Sequence, residues 1–449
     1  MYDLYMTIRA ALIPHAGKAY AGDARDTVFS LLPRSTTHII YLAAVHRLIP
    51  GEAPYLLHDD GGFAPPSHLR FASPSYREHS FDWVEPELRD KFPRAKVIAI
   101  GPNDISMELV HWITWFIRSH DKSVLLATTD LIHYGKEFDN VDYLRYPHQL
   151  SKEKNEEELI EALVSAPIHP GRVASILKSD SQLTCGHVAV MTFARVIHAL
   201  GFTGKVVDYY DSHGAMSGDI LDRYSVDSQR VDSFVSYVSI VYGKGVRQSV
   251  LVPFDIMQAI GSVKSNVAGA LASPRYKADL PTWSPFHDRE QGVFVGTGAG
   301  EETNCSYGRY EGGGGTTADK ITEAARDCPK DASERWRRPY DSGDLGRYNY
   351  KVELLDPKRE WKSYPGKEAV RRFKMDGKRG MFLRLPSGGA ATYLPVVARE
   401  NKDWTKEEYM RHLTRKAGGK GDEWKDGRIK VYSTHSYTWN PESQAIEVS

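Results

Sequence analysis

The chain has 449 residues, 41% hydrophobic and 26% charged, an ordinary globular balance that excludes a wholly disordered chain, a coiled coil and a collagen-like fibre. Lys+Arg and Asp+Glu both number 58, so no global basic field directs the protein to nucleic acid or to an anionic membrane. At roughly 150 residues per domain, the length suggests two or three domains.

The N-terminal run MYDLYMTIRAALIPHAG reaches a proline and a histidine before any apolar stretch of signal length, so no signal peptide is expected. No run is long and apolar enough to predict a membrane span. The three cysteines, Cys185, Cys305 and Cys328, are too few and odd in number for a disulfide framework. A reducing compartment, the cytoplasm, is therefore expected.

Short Val/Ile/Leu-rich runs come first: 9–16, 38–44, 95–101, 123–130, 205–210 and 233–243. Helix-like segments at 104–118, 152–165 and 185–200 separate several of them. Continuous apolar runs alternating with helices predict buried strands of an α/β sheet. Residues 1–243 are read as one domain and 244–252, glycine-bearing and polar, as a linker. Residues 253–449 have an α+β character: a helix over 254–272, strands at 292–297, 350–356, 380–386 and 430–439, a charged helical segment over 319–337, and a helix over 405–418 ending at Gly418. The run GGGG at 312–315 lacks the Lys-Ser/Thr of a phosphate loop and is read as a flexible turn.

Polar candidates of the first half fall at strand ends or a helix start. His15 closes the first strand, His46 follows the second, Asp130 ends the fourth with His133 just beyond, and Cys185 and His187 open a helix. In open α/β sheets ligands bind outside the carboxyl ends of the strands, so these residues are candidates for one shared site. Two imidazoles and a thiolate suit a transition metal while leaving positions open for chemistry. The alternatives are hydrogen-bonded loop histidines, a helix-capping Asp130 and a core cysteine. His79, beside Glu78, is a further candidate, and His213 a weaker one in what reads as a surface turn.

The motifs PHAGKAYAG (14–22), IIYLAAVH (39–46), EHSFDWVEPEL (78–88), TTDLIHYG (128–135) and LTCGHVAV (183–190) resemble the Memo family, the B component of the AmmeMemoRadiSam system, over roughly residues 8–243. That resemblance implies an α/β fold similar to class III extradiol dioxygenases. It implies metal ligands at His15, His46 and Cys185, with His79, Asp130 and His133 as neighbouring acid/base or lining groups. It also implies iron(II) or copper as cofactor and a small-molecule or peptide substrate. The sequence departs from the family pattern at Lys18, where an aromatic is usual, at LAAVHR, which keeps one histidine of a usual pair, and at CGHVA, where the histidine moves one place closer to the cysteine.

The second half resembles the AMMECR1 domain, the A component of that system, through GVFVGT (292–297), NCSYG (304–308), YKVELLD (350–356), GMFLRLPSGGAATYLPVVARE (380–400) and WTKEEYMRHLTRKAG (404–418). Thr303 and Asn304 stand where that family has arginine and glycine. Cys305 is a candidate thiol nucleophile or a packed cysteine. The run ERWRRPY sets Arg335, Arg337 and Arg338 around Trp336 and is read either as a solvated helix end or as a contact for phosphate or RNA. Three functional readings follow: a metal-dependent oxidoreductase, a non-catalytic peptide-binding or metal-buffering module, and a component of an RNA- or protein-modifying assembly. The fusion implies a radical SAM partner by family analogy.

Overall fold

The computed structural model describes residues 8–46, 54–67, 69–73, 76–135, 156–179, 183–217, 220–224, 233–273, 275–299, 302–310, 315–341, 343 and 345–449. The chain forms two compact units, one reaching Gln258 and including Pro281–Pro285, the other comprising Ala259–Leu280 and Phe286–Ser449.

The first unit contains, in order, β1 (Ile8–Ile13), α1 (Lys18–Leu31), β2 (His38–Leu42), β3 (Tyr55–Asp59), β4 (Arg70–Phe71), β5 (Lys96–Gly101), α2 (Met107–Ser119), β6 (Ser123–Thr128), β7 (His133–Gly135), α3 (His187–Leu200), β8 (Thr203–Asp211) and β9 (Ser233–Gly243). Its sheet runs β4-β3-β5-β2-β6-β1-β9-β7, with β8 also paired to β9. The centre, β5-β2-β6-β1, is parallel, and β3 and β9 flank it antiparallel. Successive residues of these strands serve opposite faces. Ala10, Leu12, Ile40, Leu42, Ile98 and Ile100 pack into one core, and Ala11, Ile13, Ile39, Tyr41, Val97 and Ala99 into the other. Burial on both faces is why these strands read as unbroken apolar runs.

Residues of the expected linker are engaged in this unit. Gln248 accepts from the Val206 amide (3.1 Å) and donates to the Trp283 carbonyl (2.8 Å). Lys205 on β8 forms an ion pair with Asp255 at 2.7 Å, both side chains fully buried. Asp255 lies in α4 (Pro253–Ala272). The helix expected over 152–165 is described as Glu157–Val164, and 152–155 lie outside the described residues.

In the second unit β10 (Val293–Ala299), β11 (Glu302–Arg309), α5 (Thr317–Asp331), β12 (Asn349–Leu355), β13 (Lys362–Pro365), β14 (Gly380–Arg384), β15 (Ala390–Tyr393), α6 (Lys406–Lys416), β16 (Arg428–Tyr432), β17 (Thr434–Asn440) and β18 (Ala445–Val448) build two antiparallel sheets. Their orders are β11-β10-β12-β17-β18 and β13-β16-β14-β15. The single strand expected over 430–439 is thus two strands in different sheets. They part at Ser433, whose amide donates to Asp356 Oδ2 at 2.8 Å instead of to a ladder partner. The helix expected over 319–337 starts in a capping box between Thr316 and Asp319, ends at Asp331 and continues as a π turn over Ala332–Trp336. Of the glycine run, 312–314 lie outside the described residues; Gly315, at φ 112°, precedes that capping box.

The cysteine reading needs correction. Cys305 on β11 and Cys328 on α5 form a disulfide, with Cα atoms 5.4 Å apart and both residues fully buried. Cys305 therefore has no free thiol and is not a nucleophile in this state. The pairing closes only when the helix packs across the strand, so the sequence spacing of 23 carries no mark of it.

Candidate metal centre

β1, β2 and β6 are mutually parallel or share a parallel neighbour, so their carboxyl ends lie along one edge of the sheet. The loops leaving them carry His15, His46 and Asp130, and the turn entering α3 brings Cys185 to the same place. His15 Nε2 lies 3.2 Å from His46 Nε2 and 3.5 Å from Cys185 Sγ. One donor atom from each of the three residues lies within 4.8 Å of the others.

Each ligand candidate is held from behind. His15 Nδ1 is 3.0 Å from Thr128 Oγ1, and His46 Nδ1 is 2.8 Å from Glu78 Oε1. Glu78 also accepts from the His46 amide (3.1 Å) and the Tyr76 hydroxyl (2.7 Å), and it caps the short helix His79–Asp82 through the Ser80 amide. Burial alone would raise the Glu78 carboxyl, but the His46 ring, Tyr76 and the His46 amide together hold it down at about 2. Asp130 Oδ1 accepts from the His15 amide at 2.8 Å, and its other oxygen is 3.6 Å from His15 Nε2. Arg25 on α1, fully buried and bonded through two nitrogens to Glu87 at 2.7 Å each, donates to the Ala16 carbonyl at 2.7 Å and so clamps the loop carrying His15.

Cys185 is set by close packing of α3 on the end of β6. A Cβ at Gly186 would meet the Thr128 carbonyl oxygen at 2.7 Å. The Gly186 amide donates to Thr129 Oγ1 at 3.0 Å, and the Asp130 amide to Cys185 Sγ at 3.3 Å.

Burial lowers His15 to about 4, so its ring is neutral near pH 7; burial also raises the Cys185 thiol well above its usual range, with Asp130 adding to the rise. Both rings have Nδ1 facing an oxygen, which turns their Nε2 atoms toward each other. A cation held there by the Nε2 atoms would deprotonate the adjacent thiol outright. Metal–nitrogen bonds of about 2.0–2.1 Å and a metal–sulfur bond of about 2.3 Å, at tetrahedral angles, put two nitrogens about 3.3 Å apart and nitrogen and sulfur about 3.5 Å apart. The His15–His46 and His15–Cys185 spacings fit that donor set.

The other sequence candidates fall into two groups. The His79 ring lies against His46, centroids 3.9 Å apart, and next to Trp83 at 4.8 Å. His46, Arg77, Glu78, His79, Asp82 and Trp83 line a cavity of about 430 Å³. His133, on β7, is lowered by burial, feels the charges of Asp130 and His46, and has Nδ1 3.0 Å from the Leu131 carbonyl. Asp130 precedes no helix and anchors the turn after β1 instead of capping. His213 is apart, in the short helix Ser212–Met216, bonded to the Ser233 carbonyl at 2.9 Å. Sequence reading passed over Glu78, Thr128 and Arg25. Glu78 had a signal in its place before a helix start, but the other two act through the fold alone.

An α/β unit with a His/His/Cys cluster at the carboxyl edge of its parallel strands, followed by an antiparallel α+β unit, is the class of protein that results. Residues 72–241 match the family model described as Memo-like protein, and residues 262–438 match the AMMECR1 model. The chain is thus a Memo-like domain joined to an AMMECR1 domain. It is 26% identical over 172 residues to a MEMO1 family protein of Aquifex aeolicus (strain VF5), spanning 37% of this chain and 40% of that relative. A crystal structure of an uncharacterized protein from Pyrococcus horikoshii aligns over 42% of this chain and 94% of its own, at 18% identity and a TM-score of 0.37. No helix of the described residues is long and apolar enough to cross a membrane.

Proposed function

We propose that the first unit is a mononuclear metal site, iron(II) or copper, serving an oxidoreductase of dioxygenase-like chemistry. The observation that carries this reading is the convergence of His15, His46 and Cys185 with both histidines oriented through Nδ1 by an oxygen partner. Such outer partners fix the ring and raise the basicity of a ligand histidine. When bound, the metal would supply redox chemistry with O2 as co-substrate. The chain's own groups do the rest. Glu78 holds His46 and stays ionised, Asp130 and His133 stand within reach of the centre as proton acceptors or donors, and His79 with Trp83 walls the approach. A cytoplasmic location belongs to the same proposal. The Cys305–Cys328 disulfide is the observation against it.

The test is metal content after anaerobic purification, beside His15→Ala/Cys185→Ser. We expect near one iron or copper per chain, lost in the variant, and O2 consumption with a substrate found by screening. If both proteins stay equally metal-free after incubation with iron(II) and copper, the proposal fails. Stoichiometric metal without O2 consumption would instead favour metal buffering.

A further inference from the structure

The second unit has no metal cluster among its described residues, but it holds a cleft of about 440 Å³, within the range of small-ligand sites. Its walls come from β10, β11, the π turn after α5 and the end of α6. Lys416 and Arg335 both line it. Lys416 Nζ donates to the Thr392 carbonyl (3.0 Å) and sits 5.0 Å over the Tyr393 ring. Among the described residues it forms no ion pair. Burial lowers its ammonium to about 8, and Arg335 pushes the same way. The carboxylate beside them, Asp331, is already taken up by Trp336 Nε1 (2.9 Å), the Ser306 amide (3.3 Å) and Arg335 (3.6 Å). The third lining cation, Lys351, is bound to Glu353 at 2.7 Å. Of the two lining acids, Glu302 is 3.5 Å from Arg338, and Glu400 is exposed.

Lys416, with no ion pair among the described residues, and Arg335, whose contact with the shared Asp331 is long at 3.6 Å, form a receptor for negative charge at a wall where the remaining lining acids, Glu302 and Glu400, are exposed. Trp336, partly exposed and carrying the Arg335 guanidinium 5.0 Å from its ring centre, adds an aromatic surface at the same wall. Tyr307 and Phe294 supply more apolar lining.

We propose that this cleft binds a small organic anion bearing a planar ring, its phosphate or carboxylate group received between Lys416 and Arg335 and its ring against Trp336.

The test titrates the full-length protein calorimetrically with adenosine monophosphate, phenyl phosphate, benzoate and inorganic phosphate. At least one ring-bearing anion should bind once per chain with a sub-millimolar Kd, at least tenfold tighter than inorganic phosphate. Phenyl phosphate against benzoate decides the acidic group. Lys416→Gln/Arg335→Gln should weaken binding tenfold or more, and Lys416→Arg should retain it. The Arg335 side chain is half exposed, so the single variant Arg335→Gln, expected to weaken binding with an unchanged melting curve, separates lost binding from lost folding. The proposal is overturned if no ring-bearing probe binds at millimolar concentration, if the double variant binds as wild type does, or if inorganic phosphate binds as tightly as the ring-bearing anions.

Discussion

At the scale of the residue, the candidate centre depends on side chains that touch no metal. Glu78 gathers the His46 ring, the His46 amide and Tyr76 on one carboxylate. Glu78→Gln keeps the shape but removes the charge that orients the ring, and we expect metal affinity to fall about 10–100-fold, read by chelator competition. The histidines and Cys185 were legible because residue type and strand-end position suffice to nominate them; their supports were not, because a glutamate's role depends on which loop the fold lays beside it. A second residue sets pH dependence. Asp208 is buried, and burial raises its carboxyl to about 7 despite the opposing influence of Arg223 and the Tyr224 hydroxyl. A carboxyl raised in the folded state holds a proton that the unfolded chain has already released. Its contribution is therefore full below the unfolded value near 4 and is lost as pH rises through 7. The loss amounts to about 4 kcal/mol at most. Denaturant unfolding at pH 5 and pH 8 should show this fall in the wild type and a much smaller one in Asp208→Asn; equal slopes for the two proteins would remove Asp208 as the cause.

At the scale of the element, the parallel strands were readable because burial on both faces writes an unbroken apolar run. Edge strands write nothing so plain. β3 ends in His58 and Asp59, and β4 is two exposed residues, so neither stood out. β16 and β17 merged in the sequence because no glycine or proline separates them; one side-chain acceptor, Asp356, turns the chain at Ser433. The disulfide was invisible for a related reason, since it joins a strand to a helix that only packing brings together. It closes a loop of 23 residues. Constraint of the unfolded chain by a loop of that size contributes about 3 kcal/mol. Cys328→Ser should lower the stability of the second unit by about that amount. An unaltered urea midpoint for that unit would show that the bridge contributes nothing there.

At the scale of the whole molecule, the fold class of both halves followed from patterning and resemblance, because each half repeats its signal over many elements. The point where one unit gives way to the next is encoded in single contacts, and composition marks it poorly. A polar, glycine-bearing stretch invites an engineer to cut at residue 243 and express the front half alone. That scissors line would sever Lys205 from Asp255, 50 positions downstream, and strip away Gln248 as well. A buried ammonium bereft of its carboxylate typically costs 3–5 kcal/mol. A fragment ending at 243 should therefore melt well below one carried through Gln258, or fail to stay in solution, and equal melting of the two would show that the ion pair is dispensable. Expression boundaries for chains of this kind are better drawn by following buried charges to their partners than by looking for glycines.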